Sequence, residues 1–178
     1  MAYRLIQLII NPDKAWENIE KNPEQEQATL LLAVYPMLIL TALSAFIHYW
    51  YGYVTYADAV KEALLILLKY IACILSALSC VILLSRYNFI PPCSKKTAHT
   101  FAGYTFTISL LSVLIGNILP SSFTFVQFIP AYIIWVVYAA RHYLKVPAEN
   151  NFSFTIVNSA IFLLLPFVWD KIFGLILH

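Results

Sequence analysis

The sequence predicts an all-α fold: a polytopic bundle of five transmembrane helices, preceded by an amphipathic helix lying at the membrane surface. Three observations predict it. Of 178 residues, 61% are hydrophobic and only 11% charged, against about a quarter charged in soluble domains. The mean hydropathy is +0.76. The few charges cut the chain into five stretches long enough to supply the roughly 20 apolar residues that a bilayer crossing requires. A formal charge of +2 is too small and too dispersed for a nucleic-acid footprint. No phosphate-cradling glycine loop and no H-E-x-x-H zinc motif occurs in the chain.

Residues 1–27 form the expected cytoplasmic N-terminal segment and residues 28–178 the transmembrane domain. The opening ten residues carry one basic residue, a short apolar run and no small-residue cleavage pattern, so they are expected to be retained rather than cleaved as a signal. Asn11-Pro12 supplies an N-cap followed by proline at the first helical position, which predicts a new helix. In that helix Ala15, Trp16 and Ile19 share one face, while Asp13, Lys14, Glu17, Asn18, Glu20 and Lys21 occupy the rest. Trp16 and Ile19, with Ile9 just before them, are therefore the expected membrane-surface contacts. The alternative is that Trp16 packs on the cytoplasmic ends of the spans.

The first span covers about residues 28–51 and ends in a Tyr-rich loop with Asp58, Lys61 and Glu62. The second, about 63–84, is interrupted by Lys69 alone and leads to a polar segment in which Pro91 and Pro92 stop any helix. The third, about 100–119, meets the fourth, about 123–143, across Pro120-Ser121-Ser122, a connection short enough to force an antiparallel hairpin. The fifth covers about 152–169. Basic residues near a span stay in the cytoplasm. Arg4, Lys14 and Lys21, then Arg86, Lys95 and Lys96, then Arg141 and Lys145 fall in alternate polar segments, while Lys61 and Lys171 fall in the others. The bias predicts a cytoplasmic N-terminus and an external C-terminus.

Cys73 and Cys80 lie seven apart on one helical face and Cys93 falls on the expected reducing side, so no disulfide is expected. Ala72, Ser76 and Cys80 form a small-xxx-small ladder suited to close helix packing. Cys93 reads as an unmodified thiol, with acylation as the alternative. His48, His99, His142 and His178 fall in different segments and on both sides of the membrane, so they do not converge on a metal. With no G-x-S-x-G elbow either, neither catalytic residue, metal nor cofactor is expected.

A charge at membrane depth is costly unless it pairs or snorkels. Lys69 lies about six residues, roughly 9 Å, inside the second span, and Asp170 closes the fifth at the same outer side. Either the two pair and fix the register of their spans, or Lys69 snorkels outward alone. Pro36, Pro130 and Pro166 lie inside the first, fourth and fifth spans. They are either plain kinks or breaks of the kind found at transporter binding sites. Asn117, Gln127 and Asn158 are expected to make interhelical hydrogen bonds.

The opening Asn11-Pro12-Asp13-Lys14-Ala15-Trp16-Glu17-Asn18-Ile19, Tyr35-Pro36 in the first span and Gly103-Tyr104 in the third resemble the Yip1-domain family in its short bacterial branch. The family often carries a proline a few residues after Gly-Tyr; Ile108 stands there in this chain. Eukaryotic members are linked to traffic between endoplasmic reticulum and Golgi and to prenylated Rab GTPases. Fewer than thirty residues precede the first span here, so the resemblance implies a non-enzymatic protein of a bacterial inner membrane. Its expected role is to organise membrane components by binding lipids, membrane proteins or further copies of itself. The competing expectation is a small oligomeric transporter, channel or lipid-translocating protein. A polar cavity reaching mid-membrane favours the second, and a solidly packed bundle the first.

Overall fold

A computed structural model describes residues 2–21, 34–86, 91, 93–119 and 124–176. Among these residues every regular element is helical. In chain order they are α1 (Ala2–Ile10), α2 (Pro12–Lys21), α3 (Tyr35–Leu43), α4 (Phe46–Trp50), α5 (Tyr56–Arg86) and α6 (Lys95–Ile118). A 3-10 segment (Thr124–Tyr132), α7 (Ile133–Tyr143), a 3-10 turn (Ala148–Asn150) and α8 (Asn151–Ile176) complete the order. The first six residues of the expected first span, Pro120-Ser121-Ser122 and His178 lie outside the described residues.

Three helices, α5, α6 and α8, are long and apolar enough to cross a membrane. Their 31, 24 and 26 residues extend about 46, 36 and 39 Å at the helical rise. Local chemistry sets their ends. At the start of α5, Thr55 Oγ1 accepts from the Asp58 amide at 3.2 Å and Asp58 Oδ2 accepts from the Thr55 amide at 3.3 Å, a reciprocal cap. Ser94 caps α6 by accepting from the Thr97 amide at 3.0 Å. That helix stops where Leu119, the residue before Pro120, turns to extended backbone.

Residues 100–110 of α6 are buried on every side, which makes α6 the central helix. Around it pack α3, α5, α7 and the 3-10 segment, and α8 closes the bundle against α5 and α7. Phe101 and Phe106 of α6 meet Phe162 of α8 with ring centroids 5.2 and 5.0 Å apart, and all three rings are fully buried.

Of the five expected spans, with kinks or breaks at Pro36, Pro130 and Pro166, the first and the fourth are not single α-helices over their described residues. The described part of the first stretch is broken between α3 and α4, where Ser44 Oγ donates to the Thr41 carbonyl at 2.6 Å. Asn117 Nδ2 of α6 in turn donates to Ser44 Oγ at 2.9 Å and stitches the break to the central helix. The fourth stretch winds as a 3-10 segment before becoming α7. Pro130 lacks the amide that would serve the Val126 carbonyl four residues back in an α-helix. That carbonyl accepts instead from Ser112 Oγ of α6 at 3.3 Å. The prolines thus act differently from three equivalent kinks: Pro36 sits in the first turn of α3, and α8 runs through Pro166.

Two ends of the bundle are defined by these pairings. Trp16, Tyr35, His99, Phe101, Tyr143 and Phe154 meet at one end, which gathers α2 and the starts of α3, α6 and α8. His48, Glu62, Lys69 and Asp170 meet at the opposite end, where α5 begins and α8 finishes.

Candidate functional site

The first candidate is a cleft at the opposite end, about 350 Å³ in volume, between α5 and α8. From α5 it takes Lys61, Glu62, Leu65, Ile66 and Lys69, from α8 Asp170, Phe173 and Gly174, and from α6 Val113. Spacings of three and four residues put each set on one helical face. Side chains lean toward the N-terminus of their own helix. Because α5 begins at this end and α8 finishes there, Lys69 leans outward and Asp170 leans into the bundle. They meet with Lys69 Nζ donating to Asp170 Oδ1 at 3.0 Å.

The pair is asymmetric: the Lys69 side chain is 22% exposed and that of Asp170 65%. Lys69 Nζ also lies 5.7 Å from the centre of the Tyr70 ring, within cation–π range. On the cleft's rim, Glu62 Oε2 stands 3.7 Å from His48 Nδ1 of α4. Two cations and two carboxylates therefore share a cleft with apolar walls. Of these, Lys69 and Asp170 were expected together; Lys61 and Glu62 read only as loop charges in the sequence. The signal that could have found them is the Lys61, Leu65, Lys69 spacing, which continues the Lys69 face outward.

The second candidate is the aromatic seat at the first end. Asn11 terminates α1, its amide donating to the Gln7 carbonyl at 2.7 Å, and caps α2, its Oδ1 accepting from the Lys14 amide at 3.2 Å. With Pro12 next, the chain turns sharply and α2 lies against α7. Asn18 Nδ2 donates to Gln7 Oε1 at 2.9 Å and ties α1 to α2. Trp16 is 1% exposed, stacks on Tyr143 at 5.1 Å, and has Phe101 and Tyr104 of α6 at 5.9 and 6.1 Å. Its indole Nε1 donates to the Val136 carbonyl at 3.1 Å, 120 residues away in sequence.

Of the two expectations for Trp16, the structure shows packing against the bundle, and it corrects the membrane-surface contact expected of Ile19. Trp16 and Ile19 are each 1% exposed and covered by protein; the apolar face of α2 is spent on the bundle. Ile9 is 39% exposed, and with it on α1 Ile6 and Ile10 are 51% and 76% exposed. The outward apolar face thus belongs to α1, while the Ile9 carbonyl accepts from Tyr132 OH at 2.8 Å. Asn11, Pro12, Trp16 and Tyr104 gather at this seat, and Gly103 is buried beside them in α6. Pro36 is exposed and takes no part in it.

Elsewhere, Ser76 of the expected small-residue ladder accepts from Trp169 Nε1 of α8 at 3.1 Å. The fully buried small residues of α5 are Ala59, Cys73 and Ala77, none of them in that ladder. Cys93 is half-buried in the turn before α6; its amide donates to Ser85 Oγ at 3.2 Å, and burial pushes its thiol up from the ordinary range. Among the described residues no three potential metal ligands converge. Asn158 bonds within its own helix, Nδ2 to the Phe154 carbonyl at 2.9 Å, rather than across helices as expected. Gln127 is exposed. The chain matches no protein family, curated protein or solved structure compared with it.

Proposed function

We propose that this chain is a non-enzymatic integral membrane protein of the Yip1 type, in a bacterial inner membrane, that organises membrane components by binding lipids or partner proteins. The observation that carries this reading is the solid interior. Phe101, Phe106, Phe154 and Phe162 fill the space between α6 and α8 and are all fully buried. The charged cleft lies at one end and is floored by Ile66 and Val113. A bundle filled in this way suits binding on its outer faces rather than passage through its middle.

Five crossings are part of the proposal. Nine residues of 3-10 helix followed by eleven of α-helix extend about 34 Å, enough for the roughly 30 Å hydrocarbon core. Orientation follows the basic residues: Lys14, Lys21, Lys95 and Arg141 belong to elements meeting at the Trp16 end, and Lys145 follows α7 there, which makes that end cytoplasmic. The C-terminus is then external. The exposed Trp50, Tyr51, Tyr53 and Tyr56 at the opposite end suit the aromatic belt of the outer interface.

The transporter reading draws on one specific observation. Oxygens of Thr105, Asn158 and Ser159 are buried with no hydrogen-bond partner among the described residues, and such polar atoms suit a water- or solute-bearing intermediate. Reconstitution into liposomes separates the two. The organiser leaves the leak of entrapped ions and small dyes at the level of empty vesicles and retains specific lipids through purification; solute flux above that level would replace this function with transport.

A further inference from the structure

The cleft between α5 and α8 points to a ligand class, and this inference rests on the reading of the bundle as membrane-spanning. We infer that it seats the headgroup of a zwitterionic phospholipid of the phosphoethanolamine class, from the outer leaflet. Charge balance is the first ground. Lys61 and Lys69 face Glu62 and Asp170 in one cleft, the pattern that answers a ligand carrying one phosphate and one ammonium.

Unused bonding capacity is the second ground. An ammonium has three donors, and Lys69 directs one to Asp170. Lys61 has no carboxylate within ion-pair distance among the described residues. A phosphate therefore finds its donor on Lys61; Lys69, held by Asp170 further along α5, is too distant to share it. Asp170, 65% exposed, keeps acceptor capacity for a primary ammonium, and Glu62 adds a second carboxylate on the same rim.

Depth and shape are the third. Eight residues separate Lys61 from Lys69, about 12 Å along α5. The polar interface on each side of a bilayer is about 5 to 7 Å thick, so the cleft runs from the headgroup layer into the first apolar layer. Along α5 the lining runs from Lys61 and Glu62 nearest its start through Leu65 and Ile66 to Lys69, so apolar wall at Leu65, Ile66 and Val113 lies beside the charged groups and is available to glycerol and the first methylenes. A soluble phosphoester would leave those walls uncovered.

Competing headgroups fit less well. Quaternary choline cannot donate hydrogen bonds to a carboxylate and is held by aromatic cages, whereas among the described residues the cleft offers Phe173 as its single aromatic lining residue. Phosphatidylglycerol brings a phosphate but leaves Glu62 and Asp170 facing a net negative ligand.

The test is lipid retention by the full chain in detergent, read by native mass spectrometry. Phosphatidylethanolamine, phosphatidylcholine and phosphatidylglycerol of identical acyl chains are the probes, with water-soluble glycerophosphoethanolamine as competitor. Phosphatidylethanolamine is retained over the other two. Lys61→Gln, which removes an exposed cation and no ion pair, lowers that retention about tenfold, as expected for a charge-assisted hydrogen bond. Lys171→Gln, outside the cleft, leaves it unchanged. Asp170→Asn lowers it as well, with the melting temperature recorded to confirm a folded bundle. Equal retention of the three lipids, preference for phosphatidylglycerol, or a Lys61→Gln variant that retains lipid normally overturns the inference. Displacement by the soluble competitor at equal concentration overturns the lipid source. None of these outcomes depends on the liposome flux that tests the organising function, so the two readings fail separately.

Discussion

The bundle's two ends treat aromatic and charged groups in opposite ways. At the Trp16 end, an indole with one polar atom is buried with that atom bonded to the Val136 carbonyl, and three rings enclose the rest. At the other end four charged side chains border an open cleft, and one partner of the ion pair is 65% exposed. The difference follows from desolvation. A single N–H is satisfied by one backbone carbonyl, so its removal from water costs little once bonded. A carboxylate and an ammonium need several partners each, and a pair left partly in water avoids most of that cost. The first end is accordingly a seat that holds two helices in place, and the second a surface that still has bonding capacity.

Removing the anchor of the closed end gives the largest expected effect. Trp16→Ala should destabilise by about 3–5 kcal/mol, seen as a lower melting temperature in detergent and faster protease cleavage of residues 1–21. Trp16→Phe keeps most of the packing and loses the indole hydrogen bond, about 1 kcal/mol. Added salt should leave both values unchanged. Equal, small losses for the two variants would mean that the seat does not hold α2.

At the open end the effects should be smaller and salt-dependent. A double-mutant cycle of Lys69→Met and Asp170→Asn should show coupling of about 1 kcal/mol at most, because water screens the exposed partner. Asp170→Asn should cost more than Lys69→Met, since it leaves the 22% exposed Lys69 unpaired, whereas the reverse leaves a carboxylate already 65% in water. Additive effects would reduce Lys69 to a snorkelling residue.

Accessibility sharpens the contrast further. Cys93, half-buried with its thiol held up by burial, should react several-fold more slowly with a thiol reagent than an unfolded control, because the thiolate is the nucleophile. Ser85→Ala should slow labelling further, since the Ser85 hydroxyl, which donates to the Pro91 carbonyl at 3.1 Å and accepts from the Cys93 amide, counters burial by drawing the thiol down.

The smallest effect belongs to the cap of α5. The Thr55 hydroxyl, donating to Asp58 Oδ2 at 2.6 Å, holds the Asp58 carboxyl below its ordinary range. A lowered native pKa means stability that is present above the unfolded carboxylate range and lost as pH falls through the native value. Asp58→Asn should therefore narrow the melting-temperature gap between neutral and acidic pH by a small margin, and an unchanged gap would remove Asp58 from the acid response.

Much of the local architecture was legible in the residues themselves. Asn11-Pro12 announces the α1–α2 break because a cap and an N1 proline act within one turn. The alternation of basic segments matches the gathering of α2 and the starts of α6 and α8 at one end. Lys69 and Asp170 stood out because a charge in an apolar stretch requires a nearby solution. The 3-10 winding before α7 was not legible. Pro130 marks a lost donor, yet only Ser112 of another helix makes the freed Val126 carbonyl tolerable.

The destination of Trp16 was likewise decided by tertiary structure. Periodicity determined that Ala15, Trp16 and Ile19 form one apolar face, and nothing local distinguishes a face covered by lipid from one covered by protein. Both are apolar surroundings, and the same side chains satisfy either. What selected the bundle was a pocket assembled from Phe101, Tyr104 and Tyr143 with a carbonyl at Val136. Those residues lie 85 to 127 positions further along the chain, so the partner for the indole exists only once α6 and α7 have packed.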